Sequence, residues 1–148
     1  MDGKKENRGQ VYLVDTSAIV HKKVSRLAKM GQIKGLILIP NAAIAELENL
    51  ANKGQDVGFK GLEEIAKLHH YKNLRLKFVG PRPSEHHIKY AKSGEIDALI
   101  RSLANTYHAT LITADIVQSK SAAAYGMKVL FHKVRFKRPK KKFLFFRK

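Results

Sequence analysis

The sequence has no cysteine among its 148 residues. This absence excludes disulfide bonds, thiolate zinc sites and a cysteine nucleophile. Long hydrophobic runs are missing too, because no apolar stretch approaches the ~20 residues that cross a bilayer. The first ten residues are polar and contain no hydrophobic signal region. Together these absences predict a cytoplasmic protein that does not contact a membrane.

Acidic residues are also scarce. The chain has 12 Asp and Glu against 29 Lys and Arg, which gives a net charge of +17 and a pI near 10.2. Its last carboxylate is Asp115, and the net charge divides into +8 before Lys133 and +9 from that residue onward. A surplus of this size indicates a polyanionic partner, most often a nucleic acid. The 44% of hydrophobic residues is enough for one globular domain.

Short apolar runs alternate with segments of helical composition along the chain. The pattern predicts strands at 11–14, 36–39, 74–79, 111–113 and 127–131, and helices at 17–30, 41–51, 59–71, 84–91, 95–107 and from about 116 to 125. Asn41 and Ser84 are the predicted caps of two helices. The alternation is typical of an α/β fold with a parallel sheet. We therefore expect a flexible lead-in at 1–10, a globular domain at 11–131 and a basic, aromatic-containing tail at 132–148.

Two of the predicted strands end on an acid, Asp15 and Asp115. The carboxyl ends of parallel strands meet at one edge of a sheet, and helices begin at that edge. Helix 41–51 carries Glu46 and Glu48, and helix 95–107 carries Asp97 in its first turn, so carboxylates from two strand ends and two helices, at least four in all, should converge there. Each acid alone could be a helix cap or a solvated side chain. Four together predict a divalent cation, Mg²⁺ or Mn²⁺, which can activate water and bind a phosphodiester.

Four segments that occur in order resemble the PIN domain family of metal-dependent nucleases: 14–20 (VDTSAIV), 39–48 (IPNAAIAELE), 94–100 (GEIDALI) and 111–115 (LITAD). Residues 51–65 are similar to the PIN domains of archaeal PIN-ATPase proteins. The resemblance covers 11–131. It implies a PIN-like three-layer α/β/α fold with a central parallel sheet of four to five strands.

The resemblance also implies an activity, that of an endoribonuclease dependent on Mg²⁺ or Mn²⁺. By this likeness Asp15 is the central metal ligand, Asp97 shares the metal, and Asp115 binds it directly or through water. Glu46 orients a water molecule on the metal. Residues that match the family's hydroxyl positions, and one further possible participant, are Thr16, Ser17, Thr113 and Glu95.

One departure from the family is His21, which stands where relatives often have an acid and makes the mouth of the site more basic. The tail interleaves cations with aromatic residues, a composition that suits phosphate pairing and base stacking. We expect RNA, single-stranded or structured, with DNA as the alternative polymer, and a homo-oligomer because relatives often dimerise. The predicted nucleic-acid contacts are Lys22, Lys23, Arg135, Lys137, Arg138, Lys140, Lys141 and Lys142.

Two other functions compete with the ribonuclease. One is a non-catalytic nucleic-acid-binding or assembly module, and the other is the toxin-type ribonuclease of a toxin–antitoxin pair. The pairs His69–His70 and His86–His87 predict no metal site, because adjacent helical residues diverge by ~100°. Ser17 lacks His and Asp partners at the spacing of a serine nucleophile.

Overall fold

The computed structural model describes residues 10–91 and 94–133. Its centre is a parallel five-stranded sheet in the order β3-β2-β1-β4-β5. The strands are β1 (Val11–Val14), β2 (Gly35–Pro40), β3 (Leu74–Val79), β4 (Thr110–Thr113) and β5 (Val129–Phe131). This sheet confirms the predicted fold class and has the larger of the two predicted strand numbers.

Helices flank the sheet. They are α1 (Thr16–Val20), α2 (Lys23–Lys29), α3 (Asn41–Asn52), α4 (Asp56–Leu68), α5 (Glu85–Tyr90), α6 (Glu95–Thr106) and α7 (Ile116–Ala124). Helix α6 packs against β1 and β4, whereas α7 packs against β4 and β5. Helices α1, α2 and α3 all contact α4. No helix in the described ranges is both long and apolar enough to span a bilayer.

The three central strands are continuously apolar because both faces of a parallel sheet are covered. Leu13, Leu38, Leu111 and Ile112 are fully buried or nearly so. In the register of β1 and β4, Leu13 lies opposite Leu111 and Val14 opposite Ile112. The first residues after this matched pair therefore emerge side by side at the carboxyl edge of the sheet.

The predicted helix over 17–30 is wrong in one respect, because it is two helices. Lys22 has φ 58° and lies in the left-handed region, which residues with a Cβ seldom adopt. The chain turns there, between α1 and α2. Composition and spacing do not reveal a left-handed residue that is not glycine.

The predicted cap at Asn41 is also wrong. Pro40 occupies the N-cap position of α3, and Asn41 is already helical. Its side-chain amide instead donates a 2.8 Å hydrogen bond to the carbonyl of Gly80, which ties the start of α3 to the end of β3. The cap predicted at Ser84 is confirmed, since its hydroxyl accepts the backbone N–H of His87 at 3.0 Å.

Helix α4 begins at Asp56, three residues before the predicted start, so part of the expected loop at 53–58 is helical. Ala66 is apolar but exposed, so it does not belong to the buried face of α4. Gly58 and Gly61 lie on that buried face instead. A Cβ on Gly58 would stand 2.4 Å from the backbone nitrogen of Ala51, so the close approach of α3 and α4 depends on glycine. Hydrophobic periodicity does not predict a buried helix face that is formed by glycines, because glycine has no apolar side chain.

Candidate active site

Asp15 follows β1 and is 1% exposed. Its backbone N–H continues the sheet by donating to the carbonyl of Ile112 at 2.9 Å. It occupies the N-cap position of α1, yet its carboxylate makes no capping hydrogen bond. The side chain is therefore held by other partners.

Those partners include two hydroxyls that donate to the same carboxylate oxygen. Ser17 Oγ and Thr113 Oγ1 each lie 2.8 Å from Asp15 Oδ2. Each hydroxyl oxygen in turn accepts a backbone N–H at 3.0 Å, that of Ala114 for Ser17 and that of Asp115 for Thr113. Because both hydroxyl hydrogens are directed at the carboxylate, the 3.2 Å contact between the two hydroxyls is secondary. This arrangement fixes the orientation of the Asp15 carboxylate.

The electrostatics of Asp15 are those of a buried acid next to another acid. Burial raises the pKa of its carboxyl, and the charge of Asp115 raises it further. Hydrogen bonds from Ser17, Thr113 and Gln118 act in the opposite direction. The strands β1 and β4 pair in the sheet, and the acids that follow them interact electrostatically.

Glu46 reaches the same edge from α3. Thr16 Oγ1 donates a 2.7 Å hydrogen bond to Glu46 Oε1, which joins the start of α1 to the middle of α3. Burial raises the pKa of Glu46, the Thr16 hydroxyl lowers it, and the charges of Asp97 and Asp15 raise it. Thr16 therefore orients the carboxylate of Glu46.

Asp97 lies in the first turn of α6. Burial raises the pKa of its carboxyl to about 6, with further contributions from Asp15 and Asp115, while the Arg101 guanidinium lowers it. Asp115 caps α7, because its Oδ1 accepts the backbone N–H of Val117 at 2.9 Å. The four acids named from the sequence therefore interact electrostatically with one another. Asp115 has a structural role as well, because it caps α7.

Residues 12–124 match the family model described as the PIN domain. The chain belongs to the PIN domain family. This match confirms the family resemblance that was inferred from the four sequence segments. Members of the family are generally nucleases that depend on a divalent metal ion.

The PIN domain is 38% identical over 129 residues to an uncharacterized KH and PIN-domain containing protein of Methanocaldococcus jannaschii, covering 83% of this chain and 20% of that protein. An uncharacterized PIN and TRAM-domain containing protein of Thermus thermophilus is 26% identical over 122 residues, or 80% of this chain and 33% of that protein. A solved domain of a functionally unknown protein from Methanocaldococcus jannaschii has a TM-score of 0.81 and 35% identity, covering 88% of this chain and 96% of that one. The chain thus spans between a fifth and a third of the two longer relatives.

The acids of this PIN domain offer carboxylate oxygens, which Mg²⁺ and Mn²⁺ prefer. Burial, with a further contribution from the charges of neighbouring acids, raises the pKa of Asp15, Glu46 and Asp97, and a bound cation would offset both effects. Within residues 10–91 and 94–133, however, no group of three or more His, Asp and Glu side chains is arranged to hold a metal ion. The chemistry of the donors fits a divalent cation, whereas the side chains as they stand form no ready ligand set.

Sequence reasoning missed two residues of the site. Gln118, on α7, is 1% exposed, and its amide nitrogen donates to the backbone carbonyl of Asp97 at 3.0 Å and lies 3.4 Å from Asp15 Oδ1. Its amide oxygen accepts a 2.7 Å hydrogen bond from Arg101 on α6. A glutamine in the first turn of a helix carries no distinctive pattern, so only the packing of α6 on α7 reveals it.

Several predicted contacts lie away from the acids or outside the described residues. Glu95, His21 and Lys22 are exposed. Lys23, the first residue of α2, is only 6% exposed, and its role as a nucleic-acid contact stays a prediction. His69, His70, His86 and His87 are exposed. Residues 1–9 of the lead-in and 134–148 of the tail, with Arg135, Lys137, Arg138, Lys140, Lys141 and Lys142, lie outside the described part.

Proposed function

We propose that this PIN domain is an endoribonuclease that hydrolyses phosphodiester bonds of RNA with the help of Mg²⁺ or Mn²⁺. One observation carries the proposal: Asp15 is buried, oriented by two hydroxyls and interacts electrostatically with three further acids, Glu46, Asp97 and Asp115. Burial of an acid among acids is costly, and a cation is what compensates it. Binding of a metal ion would explain why the protein keeps this energetically costly arrangement.

In the proposed site Asp15 and Asp97 hold the cation, Asp115 contributes directly or through water, and Glu46 orients the attacking water. A bound divalent cation would lower the pKa of water and neutralise charge on the scissile phosphate. Mg²⁺ keeps several water ligands in most protein sites. The acids do not supply every ligand of a coordination shell. Water and substrate oxygens can therefore supply the remaining ligands.

The charge of the chain supports a nucleic-acid substrate, because a net charge of +17 attracts the polyanion that the acids alone would repel. The KH domain named in the Methanocaldococcus jannaschii relative supports RNA, since KH domains clamp short single-stranded segments. A basic surface around Lys22 and the predicted tail contacts would hold the polymer. A cytoplasmic location and a homo-oligomer complete the proposal.

Cleavage of labelled RNA and single-stranded DNA with Mn²⁺ or Mg²⁺ tests this function. We expect Asp15→Asn and Asp97→Asn to reduce the rate at least about a hundredfold. Asp56→Asn is the matched control, because Asp56 is an exposed acid on α4 paired with Lys60 at 3.0 Å. If both active-site variants cut as fast as wild type, the activity does not come from this site.

A non-catalytic nucleic-acid-binding module is the second candidate, favoured because residues 10–91 and 94–133 contain no ready-made set of metal ligands. Thermal unfolding with and without Mn²⁺ separates the two, since a ligand that binds the native state raises its stability. The nuclease predicts stabilisation of wild type and of Asp56→Asn, but not of Asp97→Asn. RNA binding without metal-dependent stabilisation or cleavage would favour the binding module.

A further inference from the structure

A pocket of about 330 Å³ opens between α6 and the end of α7. Sites for small molecules typically measure about 300–1,000 Å³, so this one has room for a group the size of a single nucleotide. None of the four acids of the candidate active site lines this pocket. The pocket is lined by Ala98, Arg101, Ser102, Asn105, Tyr125 and Met127.

The pocket is physically joined to the acids. Arg101, in its wall, donates to Gln118, and Gln118 donates to the carbonyl of Asp97. Its α6 residues also follow Asp97 on the same helix. With a rise of 1.5 Å per residue, Asn105 stands about 12 Å along the axis from Asp97. The pocket therefore begins beside Asp97 and extends about two helical turns away from it.

The lining has the chemistry that recognises a nucleobase. Tyr125 is 76% exposed, and the Arg101 guanidinium carbon lies 5.7 Å from the centre of its ring. Unstacked bases bind by stacking on aromatic rings and on guanidinium planes. Asn105 and Ser102 supply donors and acceptors for a base edge, and Met127 supplies an apolar wall. One of the described lining residues is a cation and none is an acid, so a phosphate is tolerated nearby.

We propose that this Arg101–Tyr125 pocket binds a nucleobase of a single-stranded nucleic acid, beside the nucleotide whose phosphate reaches the acids. The statement about the cleaved bond rests on the proposed function, whereas base binding does not require catalysis. A base inside a duplex is paired and stacked on both sides and cannot enter such a pocket without being extruded. The preferred polymer is therefore single-stranded.

Binding of a fluorescein-labelled ten-nucleotide RNA, followed by anisotropy in EDTA, tests the pocket without metal or cleavage. Loss of one stacking contact should weaken binding of Tyr125→Ala at least about fivefold, whereas Tyr125→Phe, which keeps the ring, should stay within about twofold of wild type. Tyr90→Ala is the matched control. Tyr90 is 64% exposed and also has a cation over its ring, Lys89 at 5.6 Å, but it does not line the pocket.

A second measurement varies the RNA as well as the protein. Abasic nucleotides are placed one position at a time in the RNA, and wild-type protein should lose affinity most at one position. That loss should shrink in Tyr125→Ala, because the ring and the base are removed from the same contact. A fully paired duplex should bind with no dependence on Tyr125.

The proposal is overturned if Tyr125→Ala and Tyr90→Ala weaken binding equally, or if the abasic loss is the same in wild type and Tyr125→Ala. A shift in the sedimentation of Tyr125→Ala without a change in RNA binding would assign the pocket to contacts between chains and would overturn it too. If the abasic loss of affinity is smaller in Tyr125→Ala than in wild type but the protein never cleaves RNA, base binding in the pocket is supported and the proposed nuclease activity is refuted.

Discussion

Thr113 donates a 2.8 Å hydrogen bond to Oδ2 of Asp15, a residue 98 positions earlier in the chain. The bond joins the ends of two neighbouring parallel strands, and Ser17 donates to the same oxygen. Among the described residues, the other oxygen, Oδ1, has only the 3.4 Å contact with Gln118. The two oxygens of Asp15 are thus unequal: Oδ2 is fully engaged by the protein, and Oδ1 is the one available to a cation or to substrate.

We predict that Thr113→Val lowers the free energy of unfolding by about 1–3 kcal/mol, because a buried carboxylate and the N–H of Asp115 both lose a partner. Thr113→Ser keeps the hydroxyl and should stay close to wild type apart from one lost methyl group. Urea unfolding at pH 7 in EDTA measures this difference. Thr110→Val, at the start of the same strand, is the control. Equal stability of Thr113→Val and Thr113→Ser would show that the hydroxyl contributes nothing.

The acid cluster also predicts how stability depends on pH without metal. The pKa of Asp97 is about 6 in the folded protein and near 3.8 in the unfolded chain, so the folded state binds more protons between these values. Its contribution to stability is therefore fully present below about pH 3.8 and is lost as the pH rises through about 6. Raised pKa values at Asp15 and Glu46 act in the same direction.

Asp97→Asn should remove this part of the pH dependence. In EDTA the variant should be more stable than wild type at pH 7.5, and the difference should narrow at pH 4.5. Urea midpoints at the two pH values measure the effect. Glu63→Gln, on the exposed side of α4, serves as the control. A variant that is less stable than wild type at pH 7.5 would contradict the prediction.

The two buried glycines of α4 should respond differently to alanine. At Gly58 the new Cβ meets backbone atoms, the nitrogen of Ala51 at 2.4 Å and the carbonyl oxygen of Leu47 at 2.6 Å. At Gly61 it meets the side chain of Leu47, with Cδ2 at 2.4 Å. Overpacking typically costs about 1–3 kcal/mol, and we expect Gly58→Ala to lie at or above the upper end because two helix backbones must separate.

A second substitution distinguishes these two cases. Leu47→Val shortens the side chain that Gly61→Ala strikes, so the double variant should recover part of the lost stability. The same change should not rescue Gly58→Ala. Thermal melting of the six proteins, which are wild type, the three single variants and the two double variants, measures both effects. Equal rescue of both glycine variants would mean that the helix spacing adjusts as a whole.

Deletion of residues 133–148 tests the predicted tail contacts. The deletion removes nine of the 29 Lys and Arg residues. Each lost phosphate contact should reduce the slope of log affinity against log salt by about 0.7 for single-stranded RNA. We therefore expect weaker binding and a shallower salt dependence, measured by anisotropy from 50 to 300 mM KCl, roughly the range over which such effects are large. Unchanged affinity and slope would exclude the tail from binding.

The sequence was a reliable guide where burial is continuous. The apolar runs around Leu13, Ile37 and Leu111 located three central strands, because both faces of a parallel sheet must be covered. It was a poor guide where local backbone geometry decided the outcome. The left-handed Lys22 divides a predicted helix, and α4 packs inward through glycines that have no hydrophobic signal.

By itself the sequence determined the alternation of strands and helices, the excess of positive charge and the four acids at Asp15, Glu46, Asp97 and Asp115. Periodicity and composition are properties of the chain, so they can be read along it. Only the tertiary structure decided that Thr113 and Gln118 hold Asp15, and that Arg101 meets Tyr125 beside the acids. Such contacts depend on which residues face each other across the packed helices and strands, and no spacing in the sequence records that.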